Sequence, residues 1–502
     1  MEIVPSTLIG LALIALMLAL GPYRGMVILM ASAPFGMMAV INLPAVGNTS
    51  IVVLDLAVIA MTLLITLRRD GIATLARPFA PGGPGAMLIL FLAYSYIATL
   101  FLPRIFQGET IVFSLGRIAN SVGIVSSPLA PNNGNLSQMI RMTLSVMGYA
   151  VAYAVMRRQP NPDLALQVVT WATIIHLTLG ALDMMTVATG QSAAMEFIRT
   201  ANYALTLGQE MSGLSRVIGG FPEASSYSFF TMGMLGFWLS YWFTYRGTSR
   251  WPGVIMTLLI LMLIRGTSSS AYVAAGLLIP AFALTHMVNY GRDGVSRRAI
   301  GLMIGAVAAL PVLMVSMFMF YELVPTVTEF LDRALLEKMS STSGVERMSW
   351  NAQALTNLFD TFGLGAGLGS VRASNWLLAC LGCTGIIGTS LILWFVLRIL
   401  RGQAAPGSDM HTVGVVRALK WGCIGFLCRA VVVQGSPNLQ IFFYVMAGLG
   451  AGLIAATMAS RKALPRMRVP SPFRRRPLRL RPKFRFDRDA KTWRSSSFCF
   501  VI

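Results

Sequence analysis

The sequence predicts an all-α, polytopic integral membrane protein of about thirteen transmembrane helices with long loops on one face. Three observations carry that prediction. The 502 residues are 55% hydrophobic and only 12% charged, against about 25% charged residues in a soluble domain. Apolar runs recur, such as "TLIGLALIALMLAL", "SIVVLDLAVIAMTLLITL" and "AYVAAGLLIPAFALTHMV"; each is near the roughly 20 residues that cross a bilayer as helix. Basic residues fall in alternate loops between these runs. In hydrocarbon the backbone must satisfy its own hydrogen bonds, so the runs are expected to be helical.

In chain order the spans are expected near 5–21, 26–43, 50–67, 85–102, 139–156, 163–187, 224–245, 251–265, 268–289, 299–320, 375–397, 412–433 and 438–459. The first has no basic flank before it and is one of many, so it reads as a span and not a cleaved signal. Arg24, Arg68, Arg69, Arg77, Arg157, Arg158, Arg246, Arg250, Arg292, Arg297, Arg298, Arg398 and Arg401 can all share one side. Cytoplasmic loops retain Lys and Arg, so that side is the cytoplasm, the N-terminus is outside and the C-terminus inside. Residues 1–460 form the transmembrane domain. Its outer loops 103–138, 188–223 and 321–374 are long.

Residues 461–502 form a basic cytoplasmic tail, expected to be disordered, with fourteen Lys/Arg against Asp487 and Asp489. Such a stretch suits anionic lipid headgroups better than nucleic acid when it follows a membrane helix. A plain topology anchor is the simpler reading. No internal repeat signals the inverted symmetry of many transporters.

Five cysteines are present, and "CLGC" at 380–383 lacks a thioredoxin-like context, so small apolar helix residues are expected there. No HExxH or GxSxG occurs, and no metal site or cofactor is expected. The outer-face arginines are Arg104, Arg117, Arg141, Arg199, Arg216, Arg265, Arg333, Arg347 and Arg372. A guanidinium forks onto phosphate oxygens with paired hydrogen bonds; the plainer role is an arginine reaching from a helix end to the headgroups. Arg265 stands out, between two apolar runs with a polar turn after it that could admit a phosphate or simply allow close helix packing. Any general base on this face must be a carboxylate. Glu223 is the best placed, in "RVIGGFPEASSYS" ahead of an apolar run. Its structural alternative is an ordinary first-turn residue after Pro222.

The segment "RMSWNAQALTNLFDTFGLGAGLGSVRASNWLLACLGCTGIIGTSLILWFVL" resembles the C-terminal signature of the O-antigen polymerase and ligase superfamily: Arg347, Trp350, the "GLGAGLGS" at 363–370, Asn375 and "TGIIG" at 384–388 fit it. "RVIGGFPEASSYSFF" resembles the Arg–Gly–Pro/Glu element of exopolysaccharide repeat-unit polymerases, and "LIRGTSSSAYVAAGLL" a Ser/Arg-rich lead-in to the next span. The resemblance covers roughly 214–398. No histidine is seen in the large outer loop, which departs from the ligase branch and favours a polymerase.

The resemblance implies a membrane glycosyltransferase of the C type with periplasmic loops, in the bacterial inner membrane. Its donor would be an undecaprenyl-diphosphate-linked oligosaccharide and its acceptor a sugar hydroxyl. Arg216, Arg265 and Arg347 would stabilise the diphosphate and Glu223 would take the proton. Arg372, Trp350, Asn375, Gly219 and Gly220 would help bind substrate, the two glycines and Pro222 shaping the backbone. Membrane lipids and other polysaccharide export components are the expected partners. An O-antigen ligase and a flippase of lipid-linked oligosaccharide are the alternatives; the flippase fits less well because most charges lie in loops and the outer loops are long.

Overall fold

The structure, a computed structural model, describes residues 2–43, 49–118, 121–202, 210–211, 214–244, 247, 249–288 and 342–463. The span expected at 299–320, residues 321–341 of the third outer loop and nearly all of the basic tail lie outside the described residues. The chain divides into Met1–Arg461 and Lys462–Ile502, and the architecture below is that of the first unit. It is mostly helical. Among the described residues, seven helices are long and apolar enough to cross a bilayer, the architecture of a multi-pass membrane protein.

The first two expected spans form a hairpin, but only one is helical throughout. Helix α1 (Ser6–Ala31) breaks at Gly21, whose φ of 73° and ψ of 175° are non-helical, just before Pro22. A Cβ on Gly25 would stand 2.9 Å from Met17 Cγ, whereas residues eight apart in a straight helix are about 12 Å apart along the axis. The chain has therefore doubled back. The expected helix over 26–43 is corrected: it stops at Ala31, and Ala39–Leu43 is strand β2, because Pro34 and Gly36 interrupt the apolar run. β2 pairs with β1 (Glu2–Ile3) and β3 (Thr49–Val52). Ser6 and Thr7 donate to the carbonyls of Ala39 and Val40 at 2.7 Å, so this extended backbone is satisfied within protein.

Helices α2 (Val53–Thr66) and, after the short α3 (Gly71–Ala76), α4 (Ala86–Ile105) follow the expected spans. The loop after α4 holds a hairpin of β4 (Ile111–Ile118) and β5 (Ser121–Pro128), which its β-branched residues favour. Next come α5 (Asn133–Arg158), α6 (Pro162–Ala188), the two-residue strands β6 and β7 (Glu210–Met211, Leu214–Ser215), α7 (Ala224–Thr244), α8 (Trp251–Arg265) and α9 (Ser269–Val288). Beyond the undescribed stretch lie α10 (Thr342–Asp360), α11 (Trp376–Arg401), α12 (Met410–Val432) and α13 (Ile441–Ala463).

Two packing features position the site. α7 crosses α12 at close range: a Cβ on Gly236 would strike the Trp421 carbonyl oxygen, and one on Gly425 that of Met232. Small residues let the backbones meet where lipid provides no hydrophobic drive between helices. α11 is broken at Gly385, with φ 59° and ψ −162°. The freed carbonyls of Gly382 and Cys383 accept from Ala366 N at 2.9 Å and Gly367 N at 2.8 Å. The glycine-rich segment 363–370 thus lies along the opened helix, and Leu368 N donates to Thr99 Oγ1 of α4 at 2.9 Å.

The basic turns meet one another. Arg68 lies against Gly21, Arg158 donates to the Arg69 carbonyl at 2.8 Å, and Arg398 donates to that of Gly82.

Candidate active site

The segment Arg216–Glu223 is held from behind. Asp183, near the end of α6, and Arg199 form an ion pair at 2% and 9% exposure. Asp183 Oδ2 accepts from the backbone N–H groups of Ile218 at 2.8 Å and Gly219 at 3.0 Å. Arg199 Nε and Nη2 donate to the Gly219 carbonyl at 3.1 and 2.7 Å. The Gly220 carbonyl accepts from Met37 N at 2.9 Å. Both glycines are buried and shape the segment through these backbone bonds. Phe221 then packs on His176, Tyr227 and Phe230. The Glu223 carbonyl accepts from Ser226 N and Tyr227 N, both at 3.1 Å, and so opens α7. Its side chain accepts from Ser226 Oγ at 3.4 Å and caps no backbone N–H of α7.

Around the half-buried Glu223 the fold collects arginines from distant parts of the chain. Its carboxylate interacts with Arg216, Arg372 and Arg429, and Arg347 repels all three. Burial pulls the Arg216 and Arg372 guanidinium groups below their ordinary value; Glu223 opposes the shift and Arg347 adds to it. A guanidinium in a protein nevertheless stays protonated. Arg347 lies on α10, one turn before Trp350. Arg372 sits with Cζ 6.0 Å from the centre of the Trp350 ring, a cation–π distance, and its backbone N–H donates to the Phe113 carbonyl of β4 at 2.8 Å.

Arg429, on α12, is fully buried, and sequence reasoning passed over it. Nη2 donates to Ser225 Oγ at 3.1 Å and to the Ser225 carbonyl at 3.3 Å. Nε and Nη2 reach Ser228 Oγ, and Nη1 the Val433 carbonyl, each at 3.3 Å. The available signal was a lone arginine near the end of an apolar run, a residue type that is functional by default in a membrane helix.

Of the other expected residues, Arg265 lies at the margin. Its Nη1 donates to the Ser215 carbonyl at 2.8 Å, and it meets the cluster through Tyr272 of α9, which also interacts with Arg216. Asn375 caps α11, accepting from Leu377 N at 2.9 Å, and donates to the Val431 carbonyl at 2.7 Å. It therefore ties α11 to α12 beside Arg429. The cavity lined by Trp242, Arg250 and Met256 is at the far end of α7, away from this chemistry.

Among the described residues neither Glu223 nor Arg429 forms an ion pair at contact distance. Among the described residues, the guanidinium groups of Arg216, Arg372 and Arg429 share the field of the Glu223 carboxylate, with Arg347 near enough to repel them. Guanidinium groups so placed suit an anion with several oxygens, onto which they fork with paired hydrogen bonds. A carboxylate at the same place can accept a proton. No protein-family model matches the chain, and comparison with curated proteins finds no match.

Proposed function

We propose that this chain is a glycosyltransferase that polymerises lipid-linked oligosaccharide repeat units into exopolysaccharide or O-antigen at the periplasmic face of the bacterial inner membrane. The observation that carries the reading is the gathering of Arg216, Arg347, Arg372 and Arg429 about Glu223. An acceptor sugar hydroxyl attacks the anomeric carbon of a glycan held on undecaprenyl diphosphate. The new C–O bond forms as the bond to the diphosphate breaks. The diphosphate leaves with the electron pair, its developing charge met by the arginines, and Glu223 takes the hydroxyl proton.

In this reading the chain has thirteen spans, with the N-terminus periplasmic and the C-terminus cytoplasmic. The mutual contacts of Gly21, Arg68, Arg69, Gly82, Arg158 and Arg398 support a shared cytoplasmic end. Other export components would receive the polymer.

The test is reconstitution of the full chain in liposomes with an undecaprenyl-diphosphate-linked repeat unit. A ladder of longer glycans with release of undecaprenyl diphosphate is expected. Unchanged substrate, with Arg216→Lys and parent indistinguishable in pyrophosphate binding, would remove the reading.

A further inference from the structure

The Asp183–Arg199 pair holds the backbone between Arg216 and Glu223. Ile218 and Gly219 lie two and three residues after Arg216 and four or five before Glu223. One carboxylate oxygen accepts both of their N–H groups, while the other is bound to Arg199. The guanidinium in turn sends two donors to one carbonyl, that of Gly219. The pair grips the peptide on either side of Gly219, whose φ of +54° disfavours any side chain.

A buried ion pair is a poor source of stability, because desolvating both charges offsets their attraction. An apolar pair of the same volume would fill this place between α6 and the loop. It could not satisfy two N–H groups and a carbonyl in a fixed direction. The lasting effect of the pair is therefore a single conformation for the segment that carries Arg216 and Glu223.

We infer that Asp183 and Arg199 are positioning residues, a clamp that sets Arg216 and Glu223 at the spacing the transfer needs. This rests on the function proposed above for its catalytic arm, but the clamp has a readout that does not depend on that function.

The test uses the full chain in liposomes with Asp183→Asn, Arg199→Lys and Asp183→Glu. Asparagine removes the charge. Lysine keeps the charge but not the paired donors. Glutamate keeps the ion pair but displaces the acceptor from the Ile218 and Gly219 N–H groups, so it separates clamp from pair even where Asp183→Asn fails to fold. Turnover per folded molecule should fall about 10²-fold, the scale of a misplacement of about 1 Å. A purely structural pair would lower the amount of folded protein and leave turnover per folded molecule at the parent level.

The second readout is a thiol placed at the buried Ile218 by Ile218→Cys and labelled by a small maleimide above the background of the native cysteines. It should be protected in the parent and open in the clamp variants. Protection in all three variants overturns the clamp. So does parent-level turnover in folded Asp183→Glu. If the parent polymerises nothing, the proposed function falls, and labelling alone decides the clamp.

Discussion

Arg429 Nη2 donates to Ser225 Oγ at 3.1 Å, fastening the end of α12 to a residue two beyond Glu223. The buried guanidinium reaches two hydroxyls and two carbonyls, a spread that an ammonium cannot span. Arg429→Lys is expected to reduce polymer formation, each lost hydrogen bond to a charged group being worth about 1.5–3 kcal/mol. Membrane-inserted protein and polymer length on gels check this, with the exposed Arg24→Lys as the control that keeps normal length.

The other arginines should separate into two grades. Arg216 and Arg372 share the field of Glu223 and Arg347 acts on both, so lysine at each of the three should weaken inhibition by inorganic pyrophosphate, because the fork is lost while the charge stays. Arg265 holds the Ser215 carbonyl and lies outside that field, so Arg265→Lys should change inhibition least. Inhibition curves at fixed ionic strength decide it; a uniform response across the four would count against the grading.

Glu223→Gln keeps the shape and removes the proton acceptor. Turnover should fall about 10²–10⁴-fold, the usual contribution of a placed acid–base group, and single lipid-linked repeats should accumulate. Long polymer at near-normal inserted protein would show that the carboxylate is not the base, and Glu346 on α10 would be the next residue to change.

Gly425→Ala tests the crossing that delivers Arg429. The added methyl meets the Met232 backbone carbonyl, which cannot move aside as a side chain could. Overpacking of this kind costs about 1–3 kcal/mol. A lower melting temperature in detergent is expected, with turnover lost in parallel with folded protein.

Helix positions were legible because apolar runs here end at residues that stop helices or draw charge outward. The span expected at 251–265 is α8 (Trp251–Arg265), and that at 163–187 is α6 (Pro162–Ala188). The 26–43 run failed because hydropathy reports burial and not backbone shape. Ala39–Leu43 is as apolar as a span but is covered by α1 and the loop at Thr200, whose Oγ1 accepts from Ala39 N at 3.1 Å. Arg216, Glu223, Arg347 and Arg372 could be named because they sit in loops or at helix ends where charge is conspicuous. Their meeting place could not, since it depends on how α10 and α12 pack. Asp183 carries no motif that sets it apart in the sequence. Only folding brings its carboxylate onto the backbone of residues 218 and 219.

The opened turn of α11 has a bearing on how the protein is made. Its freed carbonyls at Gly382 and Cys383 lie some way inside a helix that must cross lipid, where an unsatisfied backbone group costs several kcal/mol. Their donors come from residues 366 and 367, which leave the ribosome before α11 does. A translocon releasing α11 by itself would favour an unbroken helix, because that satisfies every carbonyl locally. The broken form is expected only once the preceding glycine segment is seated beside α4, where its N–H groups satisfy the two carbonyls. The expected order of assembly is an intact helix admitted to the bilayer, then unlatched at Gly385 as its neighbour arrives.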